Sequence, residues 1–176
     1  MYKTVLFVLT ILLFVQCAKE NNLIQKGALG DINHKTTIEE LDQIFKNDSV
    51  EKFLGGGDLI REYRVYDTDG ETKLIVMPRI ENDSIKSLEL IKIYSSLFET
   101  EKGISTASAF KQVADLYSID KIEPSFSSAI LFIDEINATI SLNKKDLNID
   151  EFDMRDIRKD QIPDMASILY ITLWLE

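Results

Sequence analysis

One cysteine, one histidine and three prolines among 176 residues leave little material for several kinds of chemistry. With Cys17 as the only thiol, the body has no disulfide framework in any redox compartment. His34 has no second histidine and no thiolate beyond residue 17 to join it, which removes zinc. A Ser-His-Asp arrangement is left with one possible base. Basic residues are scarce as well. Twenty Lys and Arg against thirty Asp and Glu give a net charge of −10, a poor surface for displacing counterions from nucleic acid, so no nucleic-acid partner is expected. Past residue 17 no apolar run is long enough to cross a bilayer.

A 20.1 kDa chain that is 45% apolar makes one domain with a sizeable core. Its first seventeen residues read as an address. Met1-Tyr2-Lys3 is a short basic start, and Val5 to Val15 is apolar except for Thr10. The run is too short to span and suits the apolar region of a signal peptide. The chain turns polar at Gln16-Cys17-Ala18-Lys19. A lone cysteine at this boundary resembles a bacterial lipoprotein signal, and the resemblance covers residues 1–17. It implies that Cys17 becomes the first mature residue and carries acyl chains, holding the protein on a membrane of the cell envelope without a spanning helix. Gln16 stands where that family usually has Gly or Ala, and Phe14 where Leu is commoner. Cleavage after Cys17 or Ala18 by an ordinary signal peptidase is the alternative. Loss of residues 1–17 removes one lysine and no acid, so the body has nineteen basic residues against thirty acidic, a net of −11.

Residues 18–35, with Gly27 and Gly30 among scattered Leu23, Ile24, Leu29 and Ile32, read as a tether. The domain proper is expected over 36–176. Thr36-Thr37 followed by Glu39-Glu40 has capping-box spacing from either threonine, and Ile38, Leu41, Ile44 and Phe45 share a helical face. Ser105 to Ser108 precedes Phe110, Val113, Ala114 and Tyr117 with the same periodicity. The two stretches align at an offset of 69, Leu41 on Phe110 and Gln43 on Gln112. Strand patterns follow each helix. In the first half they are 61–66, 72–77 across an Asp69-Gly70 hairpin signal, and 87–94. In the second half they are 136–142 and 167–174. The closing strands align at an offset of 80, with Ser87 on Ser167, Ile91 on Ile171 and Tyr94 on Trp174.

These patterns predict an α+β single domain of two degenerate helix-then-antiparallel-strand units, their helices packed on one face of a curved sheet. The layout resembles the two-repeat arrangement of small secreted inhibitor domains and small outer-membrane-assembly lipoproteins. That resemblance rests on element order over about residues 36–175.

No catalytic motif is legible, and neither a cofactor nor a metal is expected. Asp67, Asp69 and Glu71 around Gly70 miss the spacing of a calcium loop. Gly55-Gly56-Gly57-Asp58 lacks the Lys-Ser or Lys-Thr of a phosphate cradle. The acidic stretch 146–160 reads as a charged connection pinned by Leu147, Ile149, Phe152, Met154 and Ile157. The extra length of the second half is placed at 126–135, where Phe126, Phe132, Asp134 and Glu135 mark a candidate interaction surface. The functional expectation is a lipid-anchored envelope domain that binds a protein or a small ligand through the open sheet face or the loops. A structural or assembly accessory lipoprotein is the alternative. A hydrolase is a third, and it requires carboxylates converging in a cleft.

Overall fold

In the computed structural model residues 22–55, 58–150 and 152–176 are described. Thr37 caps the first helix, α1 (Ile38–Ile44), by accepting from the backbone of Glu40, whose carboxylate accepts from the Thr37 N–H at 2.7 Å. Of the two spacings in the sequence, the chain uses the second. Thr36 instead accepts from the Asn33 N–H at 3.0 Å, closing the turn before the helix. The second helix, α2 (Phe110–Leu116), starts after Ala109, whose N–H is taken by Gln112. Its cap side chain is missing but the reciprocal acceptor is kept.

Around the helices run β1 (Leu23–Gln25), β2 (Ala28–Leu29), β3 (Ile32–Asn33), β4 (Ser49–Leu54), β5 (Ile60–Tyr66), β6 (Thr72–Glu81), β7 (Ser84–Ile93), β8 (Glu99–Thr100), β9 (Lys121–Pro124), β10 (Ser128–Ile133), β11 (Ala138–Asn143) and β12 (Ile168–Trp174). Eight of these form one antiparallel sheet in the order β4-β5-β6-β7-β12-β11-β10-β9. Each half of the chain contributes a four-stranded meander, and the two closing strands meet at the centre. The fold is the expected one: an α+β domain of two helix-then-strand units.

The central pairing is symmetric. Ile93 faces Ile171, Lys92 faces Thr172 and Ile91 faces Leu173, so a shift of 80 residues carries the first pair onto the third. Lys92 and Thr172 stand on the pseudo-two-fold axis. Both closing strands also bulge at the same place. Glu89 is skipped between Met77↔Leu90 and Pro78↔Leu88, and Leu169, 80 residues on, is skipped between Ser141↔Tyr170 and Leu142↔Ile168. A bulge repeated at matching positions is a designed feature of a strand.

Two alignments are corrected by the structure. The helices correspond at an offset of 72, which sets Leu41 on Val113, Phe45 on Tyr117 and the Thr37-Glu40 cap on Ala109-Gln112. Three residues of slip keep an apolar face nearly in place on a 3.6-residue helix, so periodicity alone could not separate 69 from 72. The extra length does not lie at 126–135, which is mostly β10. It lies between β11 and β12, where residues 144–167 replace the two-residue turn at Asn82-Asp83. Both turn residues have positive φ, 49° and 55°, as a tight hairpin demands.

The expected tether is also corrected from residue 22 onward. β3, β2, β1 and β8 form a second, small sheet, and Ile24, Leu29 and Ile32 enter the core, each no more than 4% exposed. Gly27 and Gly30, with φ of 75° and 55°, make the turns between these short strands. Leu41, Phe45, Phe110, Val113 and Tyr117 from the helices join the same core as Val65, Leu74, Ile91, Ile140 and Ile171 from the large sheet. Ile44 does not join it. It is exposed at the end of α1.

Candidate functional site

The large sheet turns one set of residues into the core and an alternate set outward. Along β6, Leu74, Val76 and Pro78 are buried while Ile75, Met77 and Arg79 are half-exposed, and Lys73, skipped in the pairing with β5, departs from the alternation. Register carries this alternation across the sheet. A single row runs from Glu51 through Arg64, Ile75 and Lys92 to Thr172, Thr139, Phe132 and Lys121. This is the outer face.

Its centre is aromatic. Tyr94 and Tyr170 lie on one side of the axis with ring centroids 5.4 Å apart, and Leu90 faces Trp174 on the other. Under the shift of 80 residues, Tyr94 corresponds to Trp174 and Leu90 to Tyr170, so both flanks repeat one arrangement. Trp174 is 39% exposed. The Lys92 ammonium sits 5.6 Å from the centre of the Tyr170 ring, within cation–π range. Burial, then the neighbouring Tyr170 and Glu62, pushes the Tyr94 phenol above its ordinary value. Small Ser141, Thr139 and Thr172 lie sunken between larger neighbours.

Toward the β4 edge the face becomes charged. Arg64 pairs with Glu62 and stacks on Phe53, its guanidinium 4.3 Å from the ring centre. Tyr66 donates to Glu51 at 2.9 Å. A shallow concavity of about 650 Å³ opens here, bounded by Arg64, Asp67, Ile75 and Tyr94 among others. A second, of about 230 Å³, lies on the opposite side of the sheet beneath Leu29, Ile32 and Phe98, where Lys73 and Asp48 pair at 2.8 Å.

Three acid side chains of the sequence-predicted acidic stretches are committed to structure. Asp67 accepts from the N–H groups of Asp69 and Glu71, both at 2.9 Å, closing the hairpin tip. Asp146 accepts from the Ser167 N–H at 2.8 Å and from its hydroxyl, and these bonds lower its pKa. The Arg155 guanidinium, followed by the Arg155 N–H, holds Asp153 far below the usual carboxylate range. Among the described residues no three His, Cys, Asp or Glu side chains are placed to hold a metal ion.

Of the sequence-predicted surface residues, Phe132 lies on the outer face, half-buried, with Lys121 over its ring. Phe126 is exposed but meets Phe152, edge to face at 4.9 Å, and not Phe132. Asp134 and Glu135 occupy a 3₁₀ turn at the opposite end of β10 from Phe126, and Glu135 pairs with Lys102 at 2.6 Å. The four do not form one surface. Sequence reasoning passed over Tyr94, Tyr170 and Trp174 as site residues. The signal was present in the two closing strands, where an aromatic alternates with the inward isoleucines. Cys17 lies outside the described residues.

No protein-family model matches the chain, and no curated protein matches it. Among solved structures, the uncharacterized protein yfeY from Escherichia coli is similar, with a TM-score of 0.51 at 12% identity over 86% of this chain and 97% of that one. The likeness is one of fold. Among the described residues no helix is long and apolar enough to cross a membrane.

Proposed function

We propose that this chain is a cell-envelope domain, anchored through lipid on Cys17, which binds a protein partner through the outer face of its large sheet. The observation that carries the reading is the aromatic centre of that face. Tyr, Trp and Arg dominate the energetics of protein interfaces, and here Tyr94, Tyr170 and Trp174 surround Lys92 on a broad sheet with only shallow concavities. A face of this shape suits a protein surface better than a small molecule, which needs a pocket that encloses it.

The test has two parts. Intact mass of the mature protein from an envelope fraction should show acyl chains on Cys17. A photo-crosslinking residue at Tyr170 should then capture an envelope protein that the same residue at Leu116, on α2, does not. Capture at both positions or at neither would sink the assignment of this face.

A further inference from the structure

Register fixes which loops share each end of the large sheet. Tyr66, Thr72, Ile93, Ile168, Asn143, Ser128 and Pro124 end or begin their strands at one end. Leu54, Glu81, Trp174, Ala138 and Ile133 do so at the other. The described chain enters at the first end, where the Asn22 carbonyl accepts from Glu99 just past the loop that follows β7. Ten large apolar side chains are exposed in the described structure. Ile44, Leu97, Phe126, Phe152, Met154 and Met165 group around that first end, whereas Phe53, Leu54, Leu116 and Trp174 lie toward the other. Met165 and Phe152 are the most exposed, at 80% and 74%.

This apolar end is built. Lys144 is fully buried, and its ammonium donates to the Ser125 carbonyl at 3.0 Å and the Asp153 carbonyl at 2.6 Å. Those residues immediately precede Phe126 and Met154. A buried ammonium is costly unless hydrogen-bonded, and here it ties together the two backbone segments that hold Phe126, Phe152 and Met154 in solvent.

We infer that this end of the sheet is the face the protein lays against a lipid surface. The inference rests on the anchorage proposed above. Only residues 18–21 separate Cys17 from Asn22, and five peptide steps reach at most about 18 Å. An acylated Cys17 therefore keeps the Asn22 end close to the headgroups, and contact becomes an intramolecular event at high effective concentration. Charges of both signs are mixed around the same end, Asp67, Asp69, Glu71, Asp150 and Asp156 with Lys145, Arg155, Arg158 and Lys159, so no one-signed patch selects a charged headgroup, the lipid it fits is electrically neutral, and the contact is made by the apolar side chains.

The test uses the full lipidated chain in vesicles of neutral phosphatidylcholine doped with nitroxide-labelled lipid. With the native thiol acylated, single substitutions Leu97→Cys, Phe152→Cys and Met165→Cys, and at the far end Phe53→Cys and Leu116→Cys, carry an environment-sensitive fluorophore. The first three should shift to the blue and lose most of their emission to the nitroxide, and the last two should do neither. Equal solvent exposure at all five positions, with acylation verified by intact mass, overturns the pose and leaves the anchorage standing. So does a near-end blue shift without nitroxide quenching, which would mean that a second copy covers this end. A chain without lipid on Cys17 removes anchorage and pose together.

Discussion

The Tyr63 hydroxyl donates to Asp42 at 2.6 Å, and the Lys52 ammonium approaches the other oxygen of the same carboxylate at 2.6 Å. Asp42 thereby ties α1 to both β4 and β5, under the contact of the Phe45 and Tyr63 rings. Lys52 first and Tyr63 second hold the Asp42 carboxyl below its ordinary value of 3.8. Burial, then Asp42, drives the Tyr63 phenol well above its ordinary value of 10.0. The two shifts act at opposite ends of the pH scale. Asp42 contributes stability above pH 3.8, lost as pH falls through its lowered folded value. Tyr63 contributes stability below pH 10, lost as pH rises through its raised one.

Tyr63→Phe keeps the packing and removes the hydroxyl, so it should cost about 1–2 kcal/mol. Chemical denaturation at pH 7 measures that loss. The same titration repeated as pH falls through the lowered Asp42 value should show a shrinking difference between variant and parent, because the protonated carboxyl is a weaker acceptor.

Lys144→Met should cost more, about 2–4 kcal/mol, since two part-buried carbonyls lose a charged donor. The loss should appear first as faster amide exchange over residues 145–158, ahead of the large sheet. Equal exchange in parent and variant would show that the ammonium does not hold this connection.

Thr172→Lys would set two lysines directly across the central strand pair at Lys92. Like charges so placed destabilise by about 0.2–1 kcal/mol, and added salt should recover most of it. Both substitutions also force a longer charged side chain into a buried position, so Thr172→Glu, with similar bulk and the opposite charge, should be the less destabilising of the two by a similar amount. Thermal melts at two ionic strengths distinguish charge from shape.

Trp174→Ala should abolish photo-capture from position 170 while moving the melting temperature little, because the indole is part-exposed and the inward Leu173 and Leu175 are untouched. Tyr94→Ala should weaken capture too. A melting temperature that falls steeply with Trp174→Ala would make the indole structural.

The repeated order of elements was legible because it is carried by long signals: two capped amphipathic stretches and two closing strands of seven or more residues with clear alternation. The offset of 80 at those strands survives in register and in the paired bulges at Glu89 and Leu169. Short elements were not legible. β1 to β3 contribute one inward residue each, Ile24, Leu29 and Ile32, and a strand of two or three residues has no period to detect. β4 was missed because its residues are largely exposed on a sheet edge. In the connection 144–167, Leu147 and Ile157 are buried as their pattern suggested, while Phe152 and Met154 are outside. Composition does not distinguish an apolar residue that pins a loop from one the loop displays. The outer-face site was hidden for a different reason: its aromatics come from both halves and meet only when β7 and β12 pair.

The seam between those two strands has a kinetic consequence. β4 to β7 close by successive hairpins, ending at the two-residue Asn82-Asp83 turn, so the first meander is assembled from contacts near in sequence. The second needs β11 to find β12 across 144–167, and the seam joins residues some eighty positions apart. Rates fall as such separations grow, so the seam is expected to form late in folding. Until it forms, the inner edge of each half-sheet is an unpaired strand of isoleucine and leucine, the part of this chain most exposed to mispairing.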